Sequence, residues 1–376
     1  MARLFTRLGA TAFGGPAAHV ALMEDEVVAR RAWVSRERFL ELLGASQLVP
    51  GPSSTELAIH LGYVRAGWPG FLAAGAGFIL PAALVVTVLA AWYARIGALP
   101  AAAAIRDGVQ PVVIAIVAQA LLRLARSACP RPALAVLAVL ALVPAALGAD
   151  PLALLAACAL AGALLAPRSK RAGDAAAPAA FAPAAARSAG FAVTLVSPAP
   201  FSFATLFAVF LKIGALVFGS GYVLLAFLRA DLVLKLGWLS ERQLLDAVAI
   251  GQLTPGPVFT TATFVGYLLG GVPGAGVATL AIFLPAFALV AVSGPLLPLL
   301  RRSRLAAAAL AGVNAGSLAL MAVVTFQLAR AALTGALPVL IGLVSATLLW
   351  RTRLNAAWLL LGGAAIGLLC KGFAGP

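Results

Sequence analysis

Residues 50–57 read PGPSSTEL and residues 255–261 read PGPVFTT. Proline has no backbone N–H, and the residue before a proline avoids the helical region. Each Pro-Gly-Pro therefore interrupts a helix, and Gly51 and Gly256 supply the dihedral freedom for a turn. Behind the first interruption stand Ser53, Ser54 and Thr55; behind the second stand Thr260 and Thr261. The first N–H groups of a helix lack intrahelical partners, and its dipole places partial positive charge at that end. Two such termini with hydroxyl donors suit an anion, most simply a tetrahedral oxyanion. The alternative is a plain kink whose hydroxyls bond their own backbone; duplication of the pattern favours the site. Gln47 and Gln252 precede the two interruptions at matched positions. Their amides are placed either to contact the anion or to tie down the turn.

Other polar residues stand out against apolar surroundings. Arg7 and Lys212 each precede a glycine-rich break, Phe13-Gly14-Gly15-Pro16 and Phe218-Gly219-Ser220-Gly221. A cation at the bilayer centre costs about 2.5–3.5 kcal/mol on insertion scales. Its presence in both places therefore points to a counter-charge for substrate; snorkelling to a helix end is the other reading. Gly14, Gly15, Gly219 and Gly221 either free backbone groups towards the anion or serve close helix packing. Glu56 and His60, four apart on the helix after the first interruption, share a face and are candidates to carry a coupling proton, with a structural hydrogen bond as the alternative. His19 follows FGGP and either lines the same cavity or, as the favoured reading, serves packing. Glu24-Asp25-Glu26 with Arg30-Arg31 reads as a solvated interfacial helix.

The elements that must position these groups follow from composition. Of 376 residues, 63% are hydrophobic and 10% charged, against about 25% charged in soluble domains. Phe71–Tyr93, Ala275–Leu299 and Leu305–Ala329 contain no charged residue, and each is long enough to cross about 30 Å of hydrocarbon. Shorter apolar runs cover 108–122, 132–149, 151–166, 331–350 and 354–370. Without period-2 alternation, the fold class is an all-α polytopic membrane protein embedded in a lipid bilayer. Arg3 and Arg7 before an apolar stretch have the outline of a signal peptide, but the pattern recurs mid-chain, so this segment reads as a first helix. The net charge of +15 lies in loops flanking apolar runs, where it orients helices rather than binding nucleic acid. Cys129, Cys158 and Cys370 are scattered, so neither a disulfide framework nor a metal site is expected, and no cofactor is implied.

A shift of 205 residues aligns the chain with itself. Phe13-Gly14, Trp33, Ser35, Gln47-Leu48 and Pro50-Gly51-Pro52 meet Phe218-Gly219, Trp238, Ser240, Gln252-Leu253 and Pro255-Gly256-Pro257. With one residue dropped, Gly62-Tyr63 meets Gly266-Tyr267 and Pro81 meets Pro285. The expected organisation is a first transporter repeat over 1–166, a basic Ala/Pro-rich cytoplasmic linker over 167–200, and a second repeat over 201–376. Basic and non-basic loops are exchanged between the halves: 97–100 has no Lys or Arg, whereas its counterpart is Arg301-Arg302-Ser303-Arg304. The positive-inside rule then orients the halves oppositely. This predicts two inverted-topology repeats, each of about five crossings plus a re-entrant helical hairpin with Pro-Gly-Pro at its tip.

FGGPAAH, MEDEVV, WVSRERFLELLGASQLVPGPSS, LGYVRAG and their second-half echoes resemble the chromate ion transporter family. The resemblance covers 13–95 and 206–300 most closely. It implies a long-chain, two-domain member that moves chromate outward across the plasma membrane and gives chromate resistance. The family's PGP motifs map to Pro50–Pro52 and Pro255–Pro257, and its FGG element to Phe13–Gly15. The second copy departs at Ser220, and Glu56 stands where a neutral polar residue is expected. A sulfate-like oxyanion has the same charge and shape as chromate. A passive anion channel is the competing reading, against which the paired breaks favour alternating access. An enzyme is not expected, because no catalytic or metal-binding motif appears. The oligomeric state, monomer or homodimer, stays open.

The opposed halves are checked by cysteine labelling with an impermeant reagent. Positions 99 and 302 are expected to label from opposite sides, and labelling of both from one side would remove the inversion.

Overall fold

The two long apolar stretches behind the Pro-Gly-Pro tips set the architecture, because each contains a glycine-bearing turn that folds it back on itself. In the computed structural model, α4 (Ser53–Ile96) leaves helical geometry at Ala66 (φ −150°, ψ 26°) and Gly67 (φ 60°, ψ −146°). In α11 (Thr261–Arg302), Gly270 (φ −143°, ψ 21°) and Gly271 (φ 61°, ψ −151°) repeat those dihedrals. A positive φ of this size suits glycine. Across the first turn the backbones of Gly62 and Gly70 meet so closely that a Cβ on either would collide with the other's carbonyl oxygen; Gly266 and Gly274 do the same. Residues eight apart in a straight helix are about 12 Å apart. Each long element is thus a tight hairpin of a short arm and a long one.

The structure describes residues 1–13, 15–47, 49–96, 99–165, 200–218, 221, 223–352 and 354–373. Before the hairpins come α1 (Ala2–Thr11), α2 (Gly15–Glu24) with a wide turn over Asp25–Arg30, and α3 (Arg36–Ser46). After the first come α5 (Pro100–Ala128), α6 (Pro132–Ala146) and α7 (Pro151–Leu164). The second half runs α8 (Phe203–Leu216), α9 (Leu224–Leu228) with a wide turn over Arg229–Lys235, α10 (Glu241–Leu253), α11, α12 (Arg304–Ala332), α13 (Ala336–Arg351) and α14 (Ala356–Phe373). Among the described residues there is no strand. The expected linker, 167–199 in particular, lies outside them, as do Gly14 and Gly219.

Local sequence explains the starts and stops. Ser35 and Ser240 cap α3 and α10 by accepting the N–H of Arg38 and Gln243, each replacing an orphan partner at a helix start. Pro100, Pro132 and Pro151 begin α5, α6 and α7, where a missing N–H is harmless.

Among the described residues, four segments are long and apolar enough to cross a membrane: Ser53–Ile96, Ala101–Arg126, Val258–Val292 and Arg304–Ala332. Leu72, Leu80, Leu84, Val88 and Trp92 are all more than half exposed, at four- or eight-residue intervals on α4. A stripe of this kind belongs against lipid tails rather than water. The protein is an α-helical, multi-pass membrane protein.

The halves interlock. α1 packs on α4 and α8 on α11, while α5 packs on α13 and α14 and α12 packs on α6 and α7. Gly108 of α5 approaches Gly363 of α14 backbone to backbone, and Gly312 of α12 approaches Cys158 of α7 in the same way. Small residues permit such approach between membrane helices.

The hairpin glycines give a stability test. Gly62→Val and Gly266→Val are each expected to cost about 1–3 kcal/mol or more through forced separation of the arms. Gly276, with open space around its Cβ position, accepts Ala without loss. Thermal unfolding in detergent reads the difference.

Candidate functional site

Each Pro-Gly-Pro tip is held by the opposite half. Gly51 N–H donates to the Val217 carbonyl at 2.8 Å, and Gly256 N–H donates to the Ala12 carbonyl at 2.9 Å. Ala12 and Val217 are the extended residues at which α1 and α8 stop (φ −81°, ψ 98° and φ −77°, ψ 109°). A stopped helix leaves carbonyls without partners, and a turn rich in proline leaves few N–H groups to spare. The two shortages are relieved against each other. Gly51 (φ 134°) and Gly256 (φ 88°) both occupy backbone space that disfavours a side chain. A Cβ on Gly51 would strike Glu56 Oε1, and one on Gly256 would strike Ala82 and the Gly9 carbonyl.

The hydroxyls behind the tips divide in two. Thr260 and Thr261 donate to the carbonyls of Pro257 and Val258, both at 2.8 Å. This is the local, self-satisfying arrangement that the sequence offered as the alternative. At the first tip Ser53 is half-buried and Ser54 and Thr55 are buried. Ser54 Oγ lies 3.3 Å from His19 Nδ1, and His19 Nε2 lies 3.1 Å from the Ala12 carbonyl. A carbonyl only accepts, so Nε2 carries the proton, and in the neutral ring Nδ1 accepts from the Ser54 hydroxyl. His19 thereby bridges the first tip to the carbonyl that holds the second, a role beyond packing. Thr55 Oγ1 is buried without a partner, as are both oxygens of Glu56 and Nε2 of His60.

Other expected site residues separate. Gly221, Gln252 and Thr261 line one small cavity with Leu225, Val248 and Val258. Gln47 is exposed at the end of α3, so the two glutamines are not equivalent in space. Gly15 starts α2 with φ 74°.

Both cations carry carboxylate partners. Arg7 Nη2 lies 2.5 Å from Glu26 Oε1, and Lys212 Nζ lies 2.6 Å from Asp231 Oδ1. Glu26 is buried and also receives Arg30 at 3.3 Å and Arg31 at 3.1 Å, which corrects the expectation of a wholly solvated acidic segment. Burial alone would raise the Glu26 carboxyl, but hydrogen bonds and charge from Arg7 and Arg31 hold it below its ordinary range. The wide turns place Glu26 and Asp231 back against α1 and α8. The shift of 205 that matches Arg7 to Lys212 also matches Glu26 to Asp231, so this signal lay in the sequence unread. Asp246 was missed as well. It is buried on α10 and accepts from Tyr93 Oη at 2.6 Å and Gln110 Nε2 at 3.1 Å, which ties the second arm to α4 and α5. Its signal was a lone acid in the apolar run LLDAVAIG. Among the described residues no three His, Cys, Asp or Glu side chains gather as a metal site.

The pairs predict a compensation. Lys212→Gln leaves Asp231 buried without its cation and is expected to cost about 1–3 kcal/mol, less than for a fully buried pair because Lys212 is 31% exposed. Adding Asp231→Asn should recover most of that loss in thermal unfolding of the purified protein.

The family described as "Chromate transporter" matches residues 1–163 and 204–368. A chromate transport protein of Cupriavidus metallidurans is 33% identical over 374 residues, covering 97% of this chain and 91% of the relative. A chromate transport protein of Pseudomonas aeruginosa is 33% identical over 377 residues, covering 97% and 90%. A probable chromate transport protein of Synechococcus elongatus is 32% identical over 314 residues, covering 78% and 75%. No solved structure matches the chain. With both halves matched and nearly the full length aligned, the chain belongs to the chromate transporter family.

Proposed function

We propose that this protein is a secondary transporter that carries chromate outward across the plasma membrane and so confers chromate resistance, binding the anion between the two Pro-Gly-Pro tips near the midplane. The observation that carries this reading is the crossing of the tips. Gly51 and Gly256 each dock on the stopped helix of the other half, and His19 runs from Ser54 to the Ala12 carbonyl that receives Gly256. Two helix starts are thus tied to two helix breaks, and the α4 start brings Ser53 and Ser54 N–H groups, which suit an oxyanion.

The proposed frame is two inverted repeats, each of about five crossings with one re-entrant hairpin, joined by a cytoplasmic linker. It is supported by the exchanged loop charges and by matching turn dihedrals at 66–67 and 270–271. Rocking of one half against the other would then open the site to alternate sides. Gly51, Gly256, Ser53 and Ser54 contact the anion in this reading. Thr55, Thr260 and Thr261 line its approach, with Gly14, Gly15, Gly219, Gly221, Gln47 and Gln252 shaping the breaks. Arg7 and Lys212, each neutralised by its carboxylate, hold the wide turns against α1 and α8 rather than supplying charge to the anion. Sulfate has the charge and shape to compete. The protein performs no covalent chemistry in this scheme.

Uptake of chromate into everted membrane vesicles tests the proposal. Saturable uptake that sulfate competes is expected, whereas flux linear in concentration would replace the carrier with a channel. Gly51→Val and Gly256→Val are each expected to lower uptake at least about tenfold, equivalent to about 1.4 kcal/mol, at comparable membrane abundance. Uptake that survives both changes would leave the tips as kinks only.

A further inference from the structure

Glu56 lies inside the proposed site, yet a negative charge there works against the anion. It is in the first turn of α4, is wholly buried, and has no hydrogen-bond partner on either oxygen. Its carboxyl leans against Gly51 at the tip. An ionised carboxylate without partners in such a place costs several kcal/mol, more than the roughly 2 kcal/mol that a helix N-terminus returns at best. A dianion a few ångströms away adds repulsion: two unit charges 4 Å apart interact by about 4 kcal/mol at an effective dielectric of 20.

Nearby cations do not neutralise Glu56. On α8, beside the tip, Lys212 is bound to Asp231, and on α1 Arg7 is bound to Glu26. On α3, Arg38 pairs with Glu41 at 2.7 Å. On α2, His19 is engaged by Ser54 and Ala12. On α10, Asp246 is held by Tyr93 and Gln110. The part of α11 up to residue 292 carries only Tyr267 as a titratable group. One turn along α4 stands His60, whose buried Nε2 also lacks a partner.

We propose that Glu56 is a neutral acid whenever the oxyanion is bound, taking up a proton from water on binding at alkaline pH where the empty site is ionised, that it donates its O–H to an anion oxygen, and that proton and anion are carried together and released together. No bond within the anion changes, and the proton returns to water on the far side. His60, on the same face, is the group through which the proton passes. The neutral form satisfies two requirements at once: the acid gains the acceptor it lacks, and the anion gains a donor in place of a repelling charge. This rests on the tip as the anion site and assigns its coupling ion.

Sulfate serves as the probe because it remains a dianion throughout the range used. Its binding to the purified full-length protein is measured by titration calorimetry from about pH 6 to about pH 9, in buffers of different ionisation enthalpy, so that protons taken up per anion are counted. At the alkaline end the wild type is expected to take up about one proton per sulfate, and its affinity to fall about tenfold per pH unit, the slope of one linked proton. Glu56→Gln, a fixed neutral donor, is expected to take up none, to show a flat profile, and to bind several-fold tighter than the wild type near pH 9. Absence of proton uptake by the wild type, or a wild-type slope kept by Glu56→Gln, would overturn the proposal. Gly51→Val separates the two ideas. It should abolish sulfate binding at every pH; if it binds normally while Glu56→Gln is flat, the tip fails as the anion site, and Glu56 takes up a proton linked to an anion bound elsewhere without being that anion's donor.

Discussion

The pair of hydrogen bonds from Gly51 to Val217 and from Gly256 to Ala12 is the constraint around which the molecule is arranged. Inside a bilayer every backbone donor and acceptor needs a partner within the protein. A helix that stops inside the protein breaks that rule on its carbonyl side, and a Pro-Gly-Pro turn breaks it on its N–H side. Joining one to the other repairs both faults. Because each bond runs between halves, neither half satisfies its own backbone, and the irregular segments are stable only where they meet. That meeting point is also where helix starts, hydroxyls and a histidine converge.

Packing reinforces the same dependence. Gly108 against Gly363 and Gly312 against Cys158 bring backbone to backbone across the halves, and the last helices of each half lie on the fifth element of the other. Between helices in lipid, close contact replaces the hydrophobic effect as the attractive force. The polar links are few and placed at corners: Arg7 with Glu26, Lys212 with Asp231, and Tyr93 and Gln110 with Asp246. The two wide turns are fixed to α1 and α8, and α10 is fixed to the last turn of α4 through Tyr93 and to α5 through Gln110.

Much of this was legible in the sequence, because the rules involved are local. Apolar runs marked the helices, and prolines and glycines marked the breaks after Ala12, at Gly51, after Val217 and at Gly256. Side-chain partners were less legible. Ser54 meets a histidine 35 positions away, and Asp246 meets a tyrosine 153 positions away; no local periodicity encodes either. The hydroxyls of Thr260 and Thr261 went to the nearest carbonyls, since a threonine in a first turn has an acceptor three residues back at no entropic cost. Charge was read too simply. The cations were seen as counter-charges for substrate because Glu26 was assigned to water and Asp231 was not considered, although the same repeat aligned both acids.

The two tips share a backbone and differ in chemistry. At the second, the hydroxyls are satisfied internally and the cavity walls are largely aliphatic. At the first, Ser54 is engaged through His19, whereas Thr55, Glu56 and His60 keep buried atoms without partners. Unsatisfied buried polar atoms cost about 1–3 kcal/mol each, and four of them lie on Thr55, Glu56 and His60 behind the first tip. Duplication explains the shared frame, since both copies must solve the same backbone problem. It does not require both copies to keep the same side chains. Once one tip serves mainly as the partner that closes the backbone, the other is free to hold groups whose hydrogen bonds are completed only by something that arrives. The asymmetry in unmet polar capacity, rather than the symmetry of the fold, is what sets the first tip apart from the second.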